Sequence, residues 1–263
     1  MAKESQFALS GVLHLPALPG APGSVLEFEQ VVEHALRDAD ALVAGGIHRC
    51  VIENFGDAPF RKEHVQPHVP AMMAVIARAV RERFDMDVGI NILRNDSLSA
   101  MGAAVACGAA FVRVNVLVGA SWTDQGLIQG EAAALARYRK NLCGDAQGPK
   151  VFADVNVKHA VPAGETDIGL LAIEAVERGG ADGIIVTGTR TGAPTDMQDV
   201  ARVRNAVGDH PIWVGSGVNQ QTICSVVGVA DGAIVGTCLH RDGELTAPID
   251  KNRVHALVSA SRS

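Results

Sequence analysis

Eight short runs rich in valine and isoleucine recur along the 263-residue chain, each followed by a segment whose apolar residues repeat at helical spacing. The runs are GVLHL at 11–15, CVIENF at 50–55, VGINIL at 88–93, FVRVNV at 111–116, VFADVNV at 151–157, GIIVTG at 183–188, IWVGSG at 212–217 and GAIVGTCL at 232–239. Apolar runs of that length, bounded by turn residues, mark strands buried on both faces, as in parallel sheets. In the first helical segment Val31, Ala35, Ala39 and Leu42 fall on one face, ready to pack on a sheet. Further helices are predicted at about 68–84, 97–108, 129–142, 167–179, 197–207, 219–228 and 251–261. A strand then a helix, eight times over, calls for right-handed crossovers and a parallel sheet. An open doubly wound sheet also alternates, but the early GxGxxG turn is missing and eight near-equal units suit closure. The predicted fold is therefore a (β/α)8 barrel, with residues 1–263 as one domain.

The balance of 23 basic against 29 acidic residues gives a net charge of −6, which argues against nucleic acid or an anionic membrane surface as a general partner. The opening MAKESQFALS lacks the basic start and apolar run of a signal peptide, and no apolar stretch approaches a membrane span, so a cytoplasmic protein without an integral membrane segment is expected. Cys50, Cys107, Cys143, Cys224 and Cys238 form no CxxC pair and read as structural thiols.

Side chains alternate along a strand, and the inward face of a barrel is normally Val, Ile and Leu. This chain departs from that rule at the strand ends. Arg113 and Asn115 share one face of the fourth strand, Asp154, Asn156 and Lys158 one face of the fifth, and Thr187 and Thr189 one face of the sixth. Burying an Arg, an Asp and a Lys costs several kcal/mol each in desolvation, roughly, unless they pair, so a binding or catalytic site explains them better than an idle polar plug. His14, Glu53, Asn54, Asn91 and Arg94 lie at or just past the ends of the first three strands and complete the ring.

After the seventh strand comes GSGV, with Gly215, Ser216 and Gly217, ahead of a predicted helix, and after the eighth comes VGT, with Gly236 and Thr237. In barrels these two positions commonly hold a phosphate, cradled by backbone amides and a helix N-terminus. The long segments after the first, second and fourth strands open onto the same end, and Trp122 with TDQG at 123–126 is expected in a loop that closes over a ligand. His14, Asp154 and His159 lie where a divalent ion is conceivable, but no ligand spacing supports one, and neither a metal nor a cofactor is expected.

The motifs HLPALPGAPGS at 14–24, ENFGDAPF at 53–60, GINILRND at 89–96, FVRVNV at 111–116, DQG at 124–126, RYR at 137–139, ADVNVKHA at 153–160, TGTRTGAPT at 187–195, VGSGV at 214–218 and ADGAIVGT at 230–237 together resemble the BtpA family, also called BtpA/SgcQ, nearly end to end. That family is similar to the ribulose-phosphate-binding barrels. Its name-giving cyanobacterial member is associated with photosystem I biogenesis, while relatives occur in organisms without photosynthesis. One departure falls near the eighth strand, where His240 and Arg241 stand in a segment that usually contains Lys in relatives, which bears on the substrate rather than the fold.

Two functions follow as expectations. The first is an enzyme acting on a phosphorylated sugar or nucleoside-like metabolite, by isomerisation, lysis or glycosidic cleavage. In it Asp154 is general acid or base, Lys158 stabilises developing negative charge, Glu53, Asn91, Asn115 and Asn156 orient hydroxyl groups, and the glycine loops hold phosphate. The second is a non-catalytic assembly or stability factor for photosystem I, as the resemblance implies, with an idle pocket. Barrels of this size often associate, and a homo-oligomer is compatible with either.

Overall fold

The computed structural model describes residues 7–62, 64–188 and 193–262. Among the described residues eleven strands occur in chain order: β1 (Ala8–His14), β2 (Arg49–Glu53), β3 (Asp87–Asn91), β4 (Phe111–Val114), β5 (Ala120–Thr123), β6 (Gly126–Gln129), β7 (Lys150–Val155), β8 (Ala160–Pro162), β9 (Gly183–Val186), β10 (Ile212–Val214) and β11 (Gly232–Val235). Eight of them close into a parallel barrel in the order β1, β11, β10, β9, β7, β4, β3, β2. These coincide with the eight predicted runs, but most stop two to four residues early, which leaves Asn115, Asn156, Thr187, Gly215 and Gly236 on the loops that follow.

Among the described residues eight α-helices surround the barrel: α1 (Phe28–Gly45), α2 (His68–Phe84), α3 (Ser97–Cys107), α4 (Ala132–Cys143), α5 (Ile168–Ile173), α6 (Met197–Val207), α7 (Ile223–Val226) and α8 (Lys251–Ala260). The stripe Val31, Ala35, Ala39 and Leu42 of α1 is fully buried, as its spacing requires. Its start is fixed by a capping box, in which the Glu27 backbone N–H donates to Gln30 Oε1 at 2.9 Å, and its end by Gly46 in the left-handed region. Two predicted helices are shorter than expected. α5 continues into a π turn over Glu174–Arg178, and the helix predicted at 219–228 is the single turn α7.

Inside the barrel the alternation of side chains builds layers. At the N-terminal end Phe111, Phe152 and Trp213 meet edge to face, with ring centroids 5.3 and 5.4 Å apart. Room for these rings comes from glycines on neighbouring strands: a Cβ at Gly89 would lie 2.3 Å from the Phe111 ring and one at Gly183 2.4 Å from Phe152. Val12, Val51, Ile185 and Ile234 pack with this aromatic layer. One step further along the same faces, toward the C-terminal end, the residues are His14, Glu53, Asn91, Arg113 and Asp154, all buried.

The stretch LVGASWTDQGLIQG, expected as a closing loop, is instead the hairpin β5–β6, to which β8 adds on the other edge of β5. One face of this antiparallel sheet docks through Ile128 against Val116 and Val157, just beyond β4 and β7. On the opposite face Trp122 pairs with Leu127 and Val161, and both Trp122 and Val161 are exposed. Strict alternation of Ser121, Trp122 and Thr123 with turn residues at 124–126 is a hairpin signal visible in the sequence, and it was hidden by the length of the surrounding irregular segment. No helix among the described residues is long and apolar enough to cross a membrane.

Candidate functional site

Arg113 anchors the polar layer. Its side chain is buried, and its guanidinium grips Asp154 with two parallel bonds, Nε to Oδ1 at 3.0 Å and Nη2 to Oδ2 at 3.1 Å, while Nη1 donates to Glu53 Oε1 at 3.0 Å. Asn115 Nδ2 adds a third donor to Asp154 at 2.8 Å, and Asn91 Nδ2 a second to Glu53 at 3.0 Å. Two buried carboxylates thus share one cation, with each oxygen that faces inward supplied by a side-chain donor. That satisfaction is what makes the burial tolerable. Burial pushes the Glu53 carboxyl up, but the Arg113 and Lys158 cations outweigh it and hold Glu53 below the ordinary range. The Arg113 guanidinium, which burial opposes, is held firmly charged by Asp154 and Glu53.

After β7 the chain turns sharply. Asn156 and His159 both lie in the left-handed region, at φ 51° and 58°. The turn carries Lys158 back to the mouth of the barrel, and Arg94 Nη2 pins it by donating to the Lys158 carbonyl at 2.6 Å. Thr187 Oγ1 donates to the Asn156 carbonyl at 3.1 Å. Burial and the nearby Arg113 cation lower the Lys158 ammonium below its usual value.

One cavity of about 170 Å³ opens above this layer, room for roughly six waters at about 30 Å³ each. Glu53, Arg113, Lys158 and His14 line one side of it, and the loops Gly215–Asn219 and Gly236–Cys238 line the other. Of the expected site residues, Asn91, Arg94, Asn115, Asp154, Asn156 and Thr187 stand behind that lining, and all but Asn156 support it or the adjoining loops through side-chain hydrogen bonds; Thr189 lies outside the described residues. The Asn115 and Asn156 side-chain oxygens are buried without a partner among the described residues and face a second, smaller cavity between β7 and α5.

The glycine loops are built differently from the expected phosphate cradle. With only four residues and a start at Ile223, α7 is too short and too remote from Gly217 to bring a helix dipole to bear. What remains is backbone. Among the described residues the N–H groups of Gly217 and Thr237 have no acceptor, whereas the N–H of Gly215 is spent on Val186 of β9. The loop is held in place by Thr195 Oγ1 donating to the Ser216 carbonyl at 3.0 Å and by Thr222 Oγ1 donating to the Gly217 carbonyl at 3.2 Å. Gly217 itself sits at φ +68°, and a Cβ there would lie 2.3 Å from Pro194 Cα, so no other residue fits.

Sequence reasoning placed Asn54 in the ring but left out Asn95 and the contact of His240 with His14. Asn54 accepts from the Leu93 N–H at 2.8 Å and donates to Asp57, Asn95 makes a two-way bond with the Val116 backbone, and His240 meets His14. Short polar residues just past a strand end are the available signal for Asn54 and Asn95. His240 stood out only as a departure near the eighth strand, and nothing in the sequence signalled its contact with His14 across 226 residues. No group of three or more His, Cys, Asp or Glu side chains able to hold a metal ion is found among the described residues.

Fold and site define a (β/α)8 barrel whose C-terminal end carries a buried, charge-paired polar layer beneath two glycine loops. The chain belongs to the BtpA family, whose sequence pattern matches residues 5–263. It is 42% identical over 250 residues to the photosystem I biogenesis protein BtpA of Synechocystis, a match covering 95% of this chain and 86% of the relative. An uncharacterised protein of Methanocaldococcus jannaschii is 42% identical over 251 residues, covering 95% and 94%. Among solved structures, orotidine 5'-phosphate decarboxylase from Pyrococcus horikoshii superposes with a TM-score of 0.56 at 18% identity, covering 96% of this chain and 99% of that one. N-(5'-phosphoribosyl)anthranilate isomerase from Pyrococcus furiosus gives 0.58 at 12%, covering 97% of this chain and 98% of that one. At these identities the likeness is one of fold.

Proposed function

We propose that this chain is an enzyme acting on a phosphorylated sugar or nucleoside-like metabolite, bound with its phosphate at the amides of Gly217 and Thr237. The observation that carries the reading is a juxtaposition in one cavity: on one wall two backbone donors unpaired among the described residues, and on the other the Lys158 ammonium beside a carboxylate, Glu53, kept ionised by Arg113. Ser216, Gly215 and Gly236 shape the phosphate side. Lys158, with its lowered proton affinity, balances charge that develops on the ligand, and Glu53 takes or returns the proton. Asp154, committed to three hydrogen bonds, holds Arg113 in place and exchanges protons itself only when the ligand displaces one of those donors. Asn91 orients Glu53 in the same sense. Both structural neighbours carry a phosphorylated compound in their names, which accords with this use of the barrel end.

The test is a thermal-shift screen of the full chain against inorganic phosphate, sugar phosphates, nucleotides and nucleosides. A ligand at 100 times its dissociation constant stabilises the fold by about 2.7 kcal/mol. A shift with phosphorylated compounds only, abolished in Thr237→Glu, is the expected outcome, and its absence for all of them overturns the reading. A second reading, an assembly factor for photosystem I, has its support in the name of the Synechocystis relative and in the exposed Trp122 and Val161 of the accessory sheet. Under that reading Trp122→Ser impairs the biological role and Lys158→Met does not.

A further inference from the structure

His14 and His240 meet at the back wall of the same cavity, 226 residues apart in sequence, with His14 Nδ1 and His240 Nε2 at 3.4 Å. The other nitrogen of His240, Nδ1, lies 2.6 Å from the Ala247 carbonyl oxygen. A carbonyl only accepts, so that nitrogen carries a proton. The segment that bears His240 is itself fixed. Its backbone bridges Ile249, the Arg241 N–H donates to the Pro248 carbonyl, and the Asp250 N–H donates to the Leu239 carbonyl. The ring is fully buried, and among the described residues no carboxylate is bonded to it. Asp38 of α1, whose Oδ1 accepts from the Ile249 N–H of the same segment at 3.4 Å, is paired with Arg37 at 3.0 Å and not with the ring. With its Nδ1 proton given to the Ala247 carbonyl, His240 turns the lone-pair side of its ring, Nε2, to His14, and His14 Nδ1 donates to it.

That leaves His14 with one nitrogen uncommitted. Among the described residues its Nε2 makes no hydrogen bond, and it borders the cavity beside Gly236, where a Cβ would come within 2.7 Å of the ring. We propose that His240 is a positioning residue that fixes His14 as the Nδ1–H tautomer, so that His14 Nε2 presents a lone pair to the cavity and selects a ligand with a hydroxyl donor at that point. Burial lowers His14 to about 4, which keeps the ring neutral at physiological pH. Phosphate oxygens, which only accept, are repelled from this wall and directed to the amides of Gly217 and Thr237. The ligand is accordingly a hydroxylated carbon skeleton with its phosphate at one end and a free hydroxyl near His14. The inference rests on the phosphorylated-ligand reading for its ligand, though not for the tautomer.

Long-range proton–nitrogen correlation NMR of the full chain at pH 7.5 reads the tautomer directly, with the His14 signals identified by their loss in His14→Asn. The expected spectrum has His14 Nδ1 protonated and Nε2 bare. In His240→Leu the Nε2–H form, which free imidazoles prefer, takes over, and His240→Gln, which still offers an acceptor, restores the original pattern. Calorimetric titration supplies the second readout. His240→Leu leaves inorganic phosphate affinity within about twofold and weakens D-ribose 5-phosphate by about 5- to 10-fold, the loss of one hydrogen bond. A His14 signal that is protonated at Nε2 in the wild type, or unchanged in His240→Leu, overturns the inference, as does equal weakening of both probes. Should His240→Leu not fold, the wild-type and His240→Gln spectra still decide. Failure of both probes to bind the wild type counts against the phosphorylated-ligand reading instead, and the tautomer then decides this inference alone.

Discussion

Replacing Arg113 by methionine keeps an unbranched apolar stem and removes the guanidinium with its charge. Three hydrogen bonds of 3.0, 3.0 and 3.1 Å disappear, and two buried carboxylates are left with one amide donor each, Asn115 for Asp154 and Asn91 for Glu53. Removing one partner from a buried ion pair costs about 3–5 kcal/mol, against a total stability of about 5–15 kcal/mol. At about 2–4 °C per kcal/mol, the melting temperature falls by roughly 6–20 °C. The dependence on pH distinguishes this cause from a mere packing defect. In the wild type Glu53 is held below its ordinary range, so its contribution is complete above the unfolded carboxyl value of about 4.3 and is lost as pH falls through the folded one. In Arg113→Met burial acts on Glu53 without that cation and raises it, so the variant loses stability as pH rises from about 4.3 through the raised value. The gap between the two proteins must then be wider at pH 8 than at pH 5. Urea unfolding at both values, compared at constant m, measures it. A gap under about 1 kcal/mol at pH 8, or one that is equal at the two pH values, refutes the charge-sharing account.

Three further predictions concern neighbouring features. Gly217 and Gly228 both have positive φ, but a Cβ at Gly217 meets the Pro194 backbone while nothing lies within 4 Å of one at Gly228. Gly217→Ala should therefore cost about 1–3 kcal/mol more than Gly228→Ala in parallel denaturation curves, and equal costs would remove the close contact from the explanation. Burial depresses His14 to about 4, so the unfolded chain takes up its proton first and stability is lost as pH falls from 6.5 toward 4. In His14→Gln that part of the slope, up to about 1.4 kcal/mol per pH unit, disappears from a series of unfolding titrations. Gly183→Ala overpacks the aromatic layer against Phe152 by about 1–3 kcal/mol, and Phe152→Leu in the same chain should recover part of that loss in a double-mutant cycle.

The barrel was legible because eight apolar runs and a helical stripe such as Val31 to Leu42 are local patterns set by burial on both faces of a strand or on one face of a helix. Parity gave Arg113 and Asp154 each a place among polar residues on one face of their strands, since residues two apart must face the same way, and position at a strand end added Glu53 to the ring. Division of labour within that layer was not legible. Whether Asp154 faces the ligand or Arg113 depends on side-chain packing between β4 and β7, and no local pattern encodes it. The hairpin β5–β6 was hidden because its two four-residue strands, though they alternate, lie inside a long irregular segment outside the barrel. The expected helix after Gly217 failed for a related reason, a run with apolar residues at Ile223 and Val226 that completes only one turn. His240 needed the barrel to close, because only closure brings the segment after β11 against the end of β1.

The central claim is that the loops after β10 and β11 hold a phosphate over the Arg113 layer, and amide NMR during titration with inorganic phosphate tests it most directly. The account predicts saturable shifts of the Gly217 and Thr237 N–H signals, lost in Thr237→Glu. Shifts confined to the basic surface depression near Arg139, Lys140 and Lys150, with Gly217 and Thr237 unmoved, would contradict it.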